Sequence, residues 1–122
     1  MSPQFVSEMK GIVLRMQQET IQALGNIPKS AIENSQAPDE IDRASNQIEI
    51  ENAILYRDQL TAKLREIERT LKKFDTGDYG LCEASDEEIP LNRLRANPLA
   101  RYTVEEQERR ETRSRQKFPA MA

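Results

Sequence analysis

One thiol, Cys82, stands in the stretch GDYGLCEASDEEI, from Gly77 to Ile89. With Ser85 three residues on it makes half the pattern of a metal clip, and Thr103 with Glu106 repeats that spacing, giving C-x-x-S…T-x-x-E. A structural zinc takes about four ligands, mostly Cys and His, in a tetrahedral array. The chain has one cysteine and no histidine. Thr103 and Glu106 have another use at this spacing. They read as a capping box, in which the threonine hydroxyl accepts the Glu106 N–H and the glutamate reaches back to the Thr103 N–H, worth about 0.5–2 kcal/mol to the helix that follows. Cys82 itself reads as a small, half-buried packing residue or as an oxidation-sensing thiol. The acidic neighbours Glu83, Asp86, Glu87 and Glu88 are expected to raise its pKa and so oppose the thiolate.

A second candidate constellation is APDEIDRAS, from Ala37 to Ser45, with carboxylates at Asp39 and Asp42. Asp39 suits the N-cap of a helix, and Asp42, three residues later, suits the positive end of the helix dipole. Placed on a projecting tip, the same pair could enter a narrow site and act on a basic group or a metal ion there. Spacing alone leaves both readings open.

The elements that must position these residues are helices. From Phe5 to Ile32 apolar residues recur at steps of three and four (Phe5, Met9, Ile12, Met16, Ala23, Ile27), with a missed beat at Thr20. Pro28 bends or ends this helix, because its ring clashes with the preceding turn and it donates no N–H. A polar turn, Glu33 to Glu40, follows. From Asp39 to about Phe74 a second stripe runs through Ile41, Ile48, Leu55, Leu60, Leu64, Ile67, Leu71 and Phe74. A helix of that length reaches roughly 50 Å. Two narrow stripes joined by a polar turn predict a long antiparallel helical hairpin, a coiled coil over residues 1–76 whose tip, at about 34–44, is the exposed end of a rod. Glycines 77 and 80 end the second helix. Residues 77–122 are expected to form a small irregular module and a charged last helix from about Val104 to Lys117.

The composition agrees with a mainly α chain. Of the 122 residues, 37% are hydrophobic, 32% charged and 5% aromatic, which favours long solvated helices over a deep globule. A net charge of −3 argues against a general nucleic-acid binder, which needs a basic footprint. There is no apolar run long enough to cross a membrane and no signal-peptide layout, so a cytoplasmic protein is expected. With no histidine, one cysteine and no glycine-rich phosphate loop, no catalytic set can be assembled.

Three motifs in order make the chain resemble the DksA/TraR family of bacterial RNA polymerase-binding regulators, over about Pro38 to Gln107. DEIDRA at the tip fits the family's D-x-x-D-x-A, GDYGLCEASDEEIP fits G-x-Y-G-x-C-x-x-C-G-x-x-I, and RLRANPLA fits R-L-x-A-x-P-x-A. The resemblance implies a hairpin that enters the secondary channel of RNA polymerase and shortens the life of open complexes at promoters such as those for ribosomal RNA. It implies Asp39, Asp42 and Ala44 as the tip residues required for activity. It implies polymerase as the partner of a monomer that does not itself bind DNA.

The chain departs from the family pattern in two places that bear on cofactors. Of four zinc cysteines only Cys82 remains, the others standing as Ser85, Thr103 and Glu106, so it looks like a zinc-independent branch with a zinc-finger-like module lacking metal. Where relatives use basic side chains to hold ppGpp, it has Glu66, Asn97 and Gln107, and losing three phosphate-pairing charges should weaken that site strongly. Two alternatives from other classes stand beside this reading: a coiled-coil adaptor for some other protein, and a thiol switch acting through Cys82.

Overall fold

The computed structural model describes the backbone of residues 1–28 and 40–117, and the side chains of 1–28 and 47–116. Four helices follow in order: α1 Pro3–Gly25, α2 Glu40–Thr76, α3 Leu91–Ala96 and α4 Val104–Lys117. Ser2 caps α1, its hydroxyl accepting the Phe5 N–H at 3.1 Å, and Pro3 takes the first helical position, where its missing N–H costs nothing. Gly25 ends the helix three residues before Pro28.

The chain forms two compact units, one of Met1–Val13 with Thr70–Ala122, the other of Leu14–Arg69. In the second, the paired helices α1 and α2 bury a seam in which Thr20, Ile50 and Ile67 are the most enclosed side chains. Thr20 is no gap in that seam. It is 3% exposed, and its hydroxyl donates to the Met16 carbonyl at 2.7 Å, which satisfies its one buried polar group inside its own helix.

The seam corrects the expected stripe of α2 at its first half. Ile48 and Leu55 are 59% and 58% exposed, whereas Ile50 is buried and Ala53 and Ile54 are half-buried. The cause is phase. A five-residue step from Leu55 to Leu60 turns about 500° around the axis at 3.6 residues per turn, so those two cannot face one partner. Counting back from Leu60 by three and four reaches Ala53 and Ile50 instead. The expected tip at 34–44, with Asp39, Asp42 and Ala44, and the expected stripe position Ile41, lie outside the residues whose side chains are described.

The other unit has a core of Phe5, Met9, Tyr79, Cys82, Ile89, Leu94, Ala100 and Tyr102, flanked by Ile12 and Phe74. The segment between α2 and α3 folds as a small loop pairing, with Ile89 N–H on the Gly80 carbonyl (2.7 Å), Cys82 N–H on the Glu87 carbonyl (2.8 Å) and a single antiparallel bridge between Leu81 and Glu88. Gly80 has φ +87°, and a Cβ there would run into the Met1 side chain. The expectation of an irregular module missed α3, a six-residue helix that starts after Pro90 and stops at an extended Asn97.

Candidate functional site

Cys82 is the centre of the module. It is 0% exposed, more enclosed than a half-buried packing residue. Burial works to raise its pKa, but the Ser85 hydroxyl and the backbone N–H groups of Thr103, Ala84 and Ser85 all donate to the sulfur and outweigh it, leaving the thiol at about 7. This corrects the expected upward shift. The nearest acidic neighbour in sequence, Glu83, does not turn its charge on the sulfur. Its carboxylate is held at 2.9 Å by Lys73 on one oxygen and at 2.9 Å by Arg101 on the other.

That triad is the strongest electrostatic feature of the unit. Burial alone would raise the Glu83 carboxyl, but the hydrogen bonds and charges of Lys73 and Arg101 hold it at about 2. It ties the last turn of α2 to the loop and to the segment before α4, and the Glu83 N–H reinforces the tie by donating to the Arg101 carbonyl at 2.9 Å. The reading from sequence did not include it, because the partners are ten and eighteen residues away and no local pattern links them.

Thr103 and Glu106 make only half of the expected capping box. The Thr103 hydroxyl accepts the Glu106 N–H at 3.4 Å. The return bond is replaced, because the Thr103 N–H serves Cys82 and the Glu106 carboxylate takes Arg109 at 3.2 Å and Arg113 at 3.9 Å. Cys82, Ser85 and Thr103 are thus brought together around one sulfur, with Glu106 one turn into α4. Two hydroxyls, and a carboxylate already held by two arginines, do not fit a structural zinc, whose donors are thiolate, imidazole and free carboxylate. Among the described residues no three His, Cys, Asp or Glu side chains converge to hold a metal.

Aromatic packing completes the base. Tyr79 stacks on Phe74 with ring centroids 4.0 Å apart, and its hydroxyl donates to the Pro98 carbonyl at 2.9 Å, with burial pushing its pKa to about 12. Arg101 and Arg110 both lie over the Tyr102 ring, at 5.3 and 4.5 Å from its centroid. Arg93 donates to the Tyr102 carbonyl at 3.0 Å. Of the three positions compared with ppGpp-binding residues, Asn97 uses its side-chain oxygen to accept the Leu99 N–H, and Gln107 donates to Glu111.

Residues 77–111, which contain this arrangement, match the family model described as prokaryotic dksA/traR C4-type zinc finger. The longer match is to an RNA polymerase-binding transcription factor DksA of Caulobacter vibrioides, 35% identical over 103 residues, covering 84% of this chain and 68% of that one. The chain belongs to the DksA/TraR family. Matches to DksA of Haemophilus influenzae (40% over 68 residues) and of Escherichia coli K12 (37% over 68 residues) each cover 56% of this chain and about half of the relative, 47% and 45%. Among solved structures, transcription factor DksA2 from Pseudomonas aeruginosa superposes with a TM-score of 0.82 at 26% identity, over 93% of this chain and 88% of that one. A Chlamydia trachomatis L2 protein titled RNA polymerase binding protein and transcriptional regulator Dks gives 0.57 at 25% identity, over 92% and 93%. These likenesses fix the fold class as a helical hairpin with a small module and a C-terminal helix. Among the described residues no helix is long and apolar enough to cross a membrane.

Proposed function

We propose that this chain is a bacterial transcription regulator that binds RNA polymerase through its secondary channel and destabilises open complexes at sensitive promoters, such as those for ribosomal RNA, without binding DNA. One observation carries the reading: 84% of the chain aligns with a DksA named as RNA polymerase-binding. Asp39, Asp42 and Ala44 form the working tip, which brings two carboxylates to the polymerase active centre. The protein is not an enzyme. It acts as a monomer in the cytoplasm, where polymerase is.

The base needs no zinc. Its support is the ring of donors around Cys82 and the Glu83 triad, which satisfy internally what a metal would otherwise organise. The joint site for ppGpp is strongly weakened, because Glu66, Asn97 and Gln107 supply no cation for a phosphate.

The test is transcription in vitro from a ribosomal RNA promoter with wild type and Asp42→Asn, each with and without ppGpp. Wild type inhibits, Asp42→Asn binds polymerase without inhibiting, and ppGpp changes neither result. Equal inhibition by the two proteins would remove Asp42 from the mechanism, and no inhibition by either, with no polymerase binding, would favour a coiled-coil adaptor for some other protein. Inhibition that appears only with ppGpp would overturn the alarmone statement.

A further inference from the structure

Between Leu91 and Tyr102 stand three arginines and no acidic residue, so any counter-charge must come from elsewhere in the fold. Two of the three find one. Arg95 takes Glu8 of α1 at 2.8 Å, and Arg101 takes Glu83 at 2.9 Å. The third, Arg93, spends its Nε on the Tyr102 carbonyl at 3.0 Å. Arg110 of α4 comes to the same residue from the other side of the sequence and lies 4.5 Å over the Tyr102 ring. The carboxylate one turn before it, Glu106, is already held by Arg109 and Arg113. Among the described residues neither Arg93 nor Arg110 is paired with a carboxylate.

Two uncompensated charges are thus anchored on one tyrosine, and the way each is anchored leaves donors over. A guanidinium stacked on a ring uses its face and keeps its in-plane N–H groups, while one that spends Nε keeps both terminal nitrogens. Tyr102 is 8% exposed and Arg93 half-buried, so part of the freedom that arginines lose on binding is already lost. Guanidinium forks match phosphate oxygens two at a time. Two forks, one at the carbonyl and one at the ring, suit an anion with more than one phosphoryl group.

We propose that Arg93 and Arg110, organised by Tyr102, form a binding site for a diphosphate group, either free or carried on a nucleotide. Glu66, Asn97 and Gln107 take no part in it. The site is complete on this chain without a partner, so it stands or falls apart from the polymerase reading.

The experiment is calorimetric titration of the purified full chain at low ionic strength, without divalent cations, with inorganic diphosphate and separately with adenosine diphosphate. Wild type binds saturably. Arg110→Gln, checked for wild-type circular dichroism, binds at least about tenfold more weakly, the loss of one charge-assisted pair. Arg115→Gln removes an exposed cation farther along the same helix and changes binding less than about twofold. The Arg93 Nε–H resonance, which reports the group held on the Tyr102 carbonyl, shifts on binding while that of Arg115 stays. Tighter binding of adenosine diphosphate than of the inorganic anion identifies a nucleotide as the source, and the reverse order identifies the free anion; either supports the site. No saturable binding of either probe overturns it. Equal losses in Arg110→Gln and Arg115→Gln also overturn it, by showing only a diffuse cationic surface.

Discussion

The Ser85 hydroxyl donates to the sulfur of Cys82, three residues before it, where the family's zinc-finger pattern has a second cysteine beside the first. One change of atom alters the job of the pair. Two thiolates repel unless a cation lies between them, whereas a thiolate and a hydroxyl attract directly. With backbone N–H groups of Thr103, Ala84 and Ser85 aimed at the same sulfur, the site is an anion hole occupied by its own side chain.

The first consequence is a pH dependence. The folded-state pKa of Cys82 is depressed, to about 7 from 9, so its contribution is complete above the unfolded value and is lost as pH falls through 7. Unfolding free energy should therefore rise between pH 7 and 9. Denaturant titrations across that window should show the rise in wild type and a flatter profile in Cys82→Ser. Ser85→Ala should move the thiolate absorbance titration to higher pH.

The Glu83 triad predicts an acid limb. Glu83 is held at about 2, well below its ordinary value of 4.5, so its stabilisation is present above 4.5 and lost as pH falls toward 2. The carboxylate is 18% exposed, so the effect is on the order of 2–3 kcal/mol. Glu83→Gln should lower stability at neutral pH by a comparable amount, because Lys73 at 16% exposure loses its counter-charge, and should flatten the acid limb. Thermal melts of both proteins at acid and neutral pH check this.

A backbone prediction concerns Asp86, the one non-glycine residue at positive φ among those described, at 59°. Its family counterpart is the glycine after the second cysteine. Asp86→Gly should stabilise the module by about 0.5–1 kcal/mol by relieving the left-handed strain. Gly80→Ala should act the other way, since φ +87° disfavours a side chain and Met1 already fills the space. Denaturant midpoints of the two variants should therefore move in opposite directions.

At the start of α4, Thr103→Ala removes the hydroxyl that accepts the Glu106 N–H and should cost about 1 kcal/mol, while Thr103→Ser should restore it. The Thr103 N–H remains in both, so the Cys82 titration should stay near wild type. A shift of that titration in Thr103→Ala would show that the cap also positions the donor.

What the sequence made legible was whatever repeats locally. Three- and four-residue spacing predicts α1, though with an end at Ile32 where the helix stops at Gly25, and the later half of α2; the Thr103/Glu106 pattern and the charged run after it give α4, and Gly77 and Gly80 mark the exit from α2. Ile48 and Leu55 were misplaced because a seven-residue spacing looks the same on the inner and outer faces of a helix, and only phase with Leu60 tells them apart. The site around Cys82 was half legible. Its positions can be named from spacing, but not the direction of the Cys82 pKa, because charge nearby in sequence is not charge nearby in space. Lys73 and Arg101, far off along the chain, absorb Glu83. The partners of a backbone N–H such as that of Thr103 leave no mark on residue type at all.

Zinc content gives a simple check on the base: protein purified without added metal should carry no stoichiometric zinc and should melt at the same temperature after chelation. Stoichiometric zinc would mean that Cys82 has ligands other than those described.

The most direct test of the polymerase reading is the lifetime of competitor-resistant open complexes at a ribosomal RNA promoter, with and without the purified chain and with no ppGpp present. A shortened lifetime that Asp42→Asn fails to produce is the predicted result. An unchanged lifetime, with the wild-type chain saturating the polymerase, would contradict it.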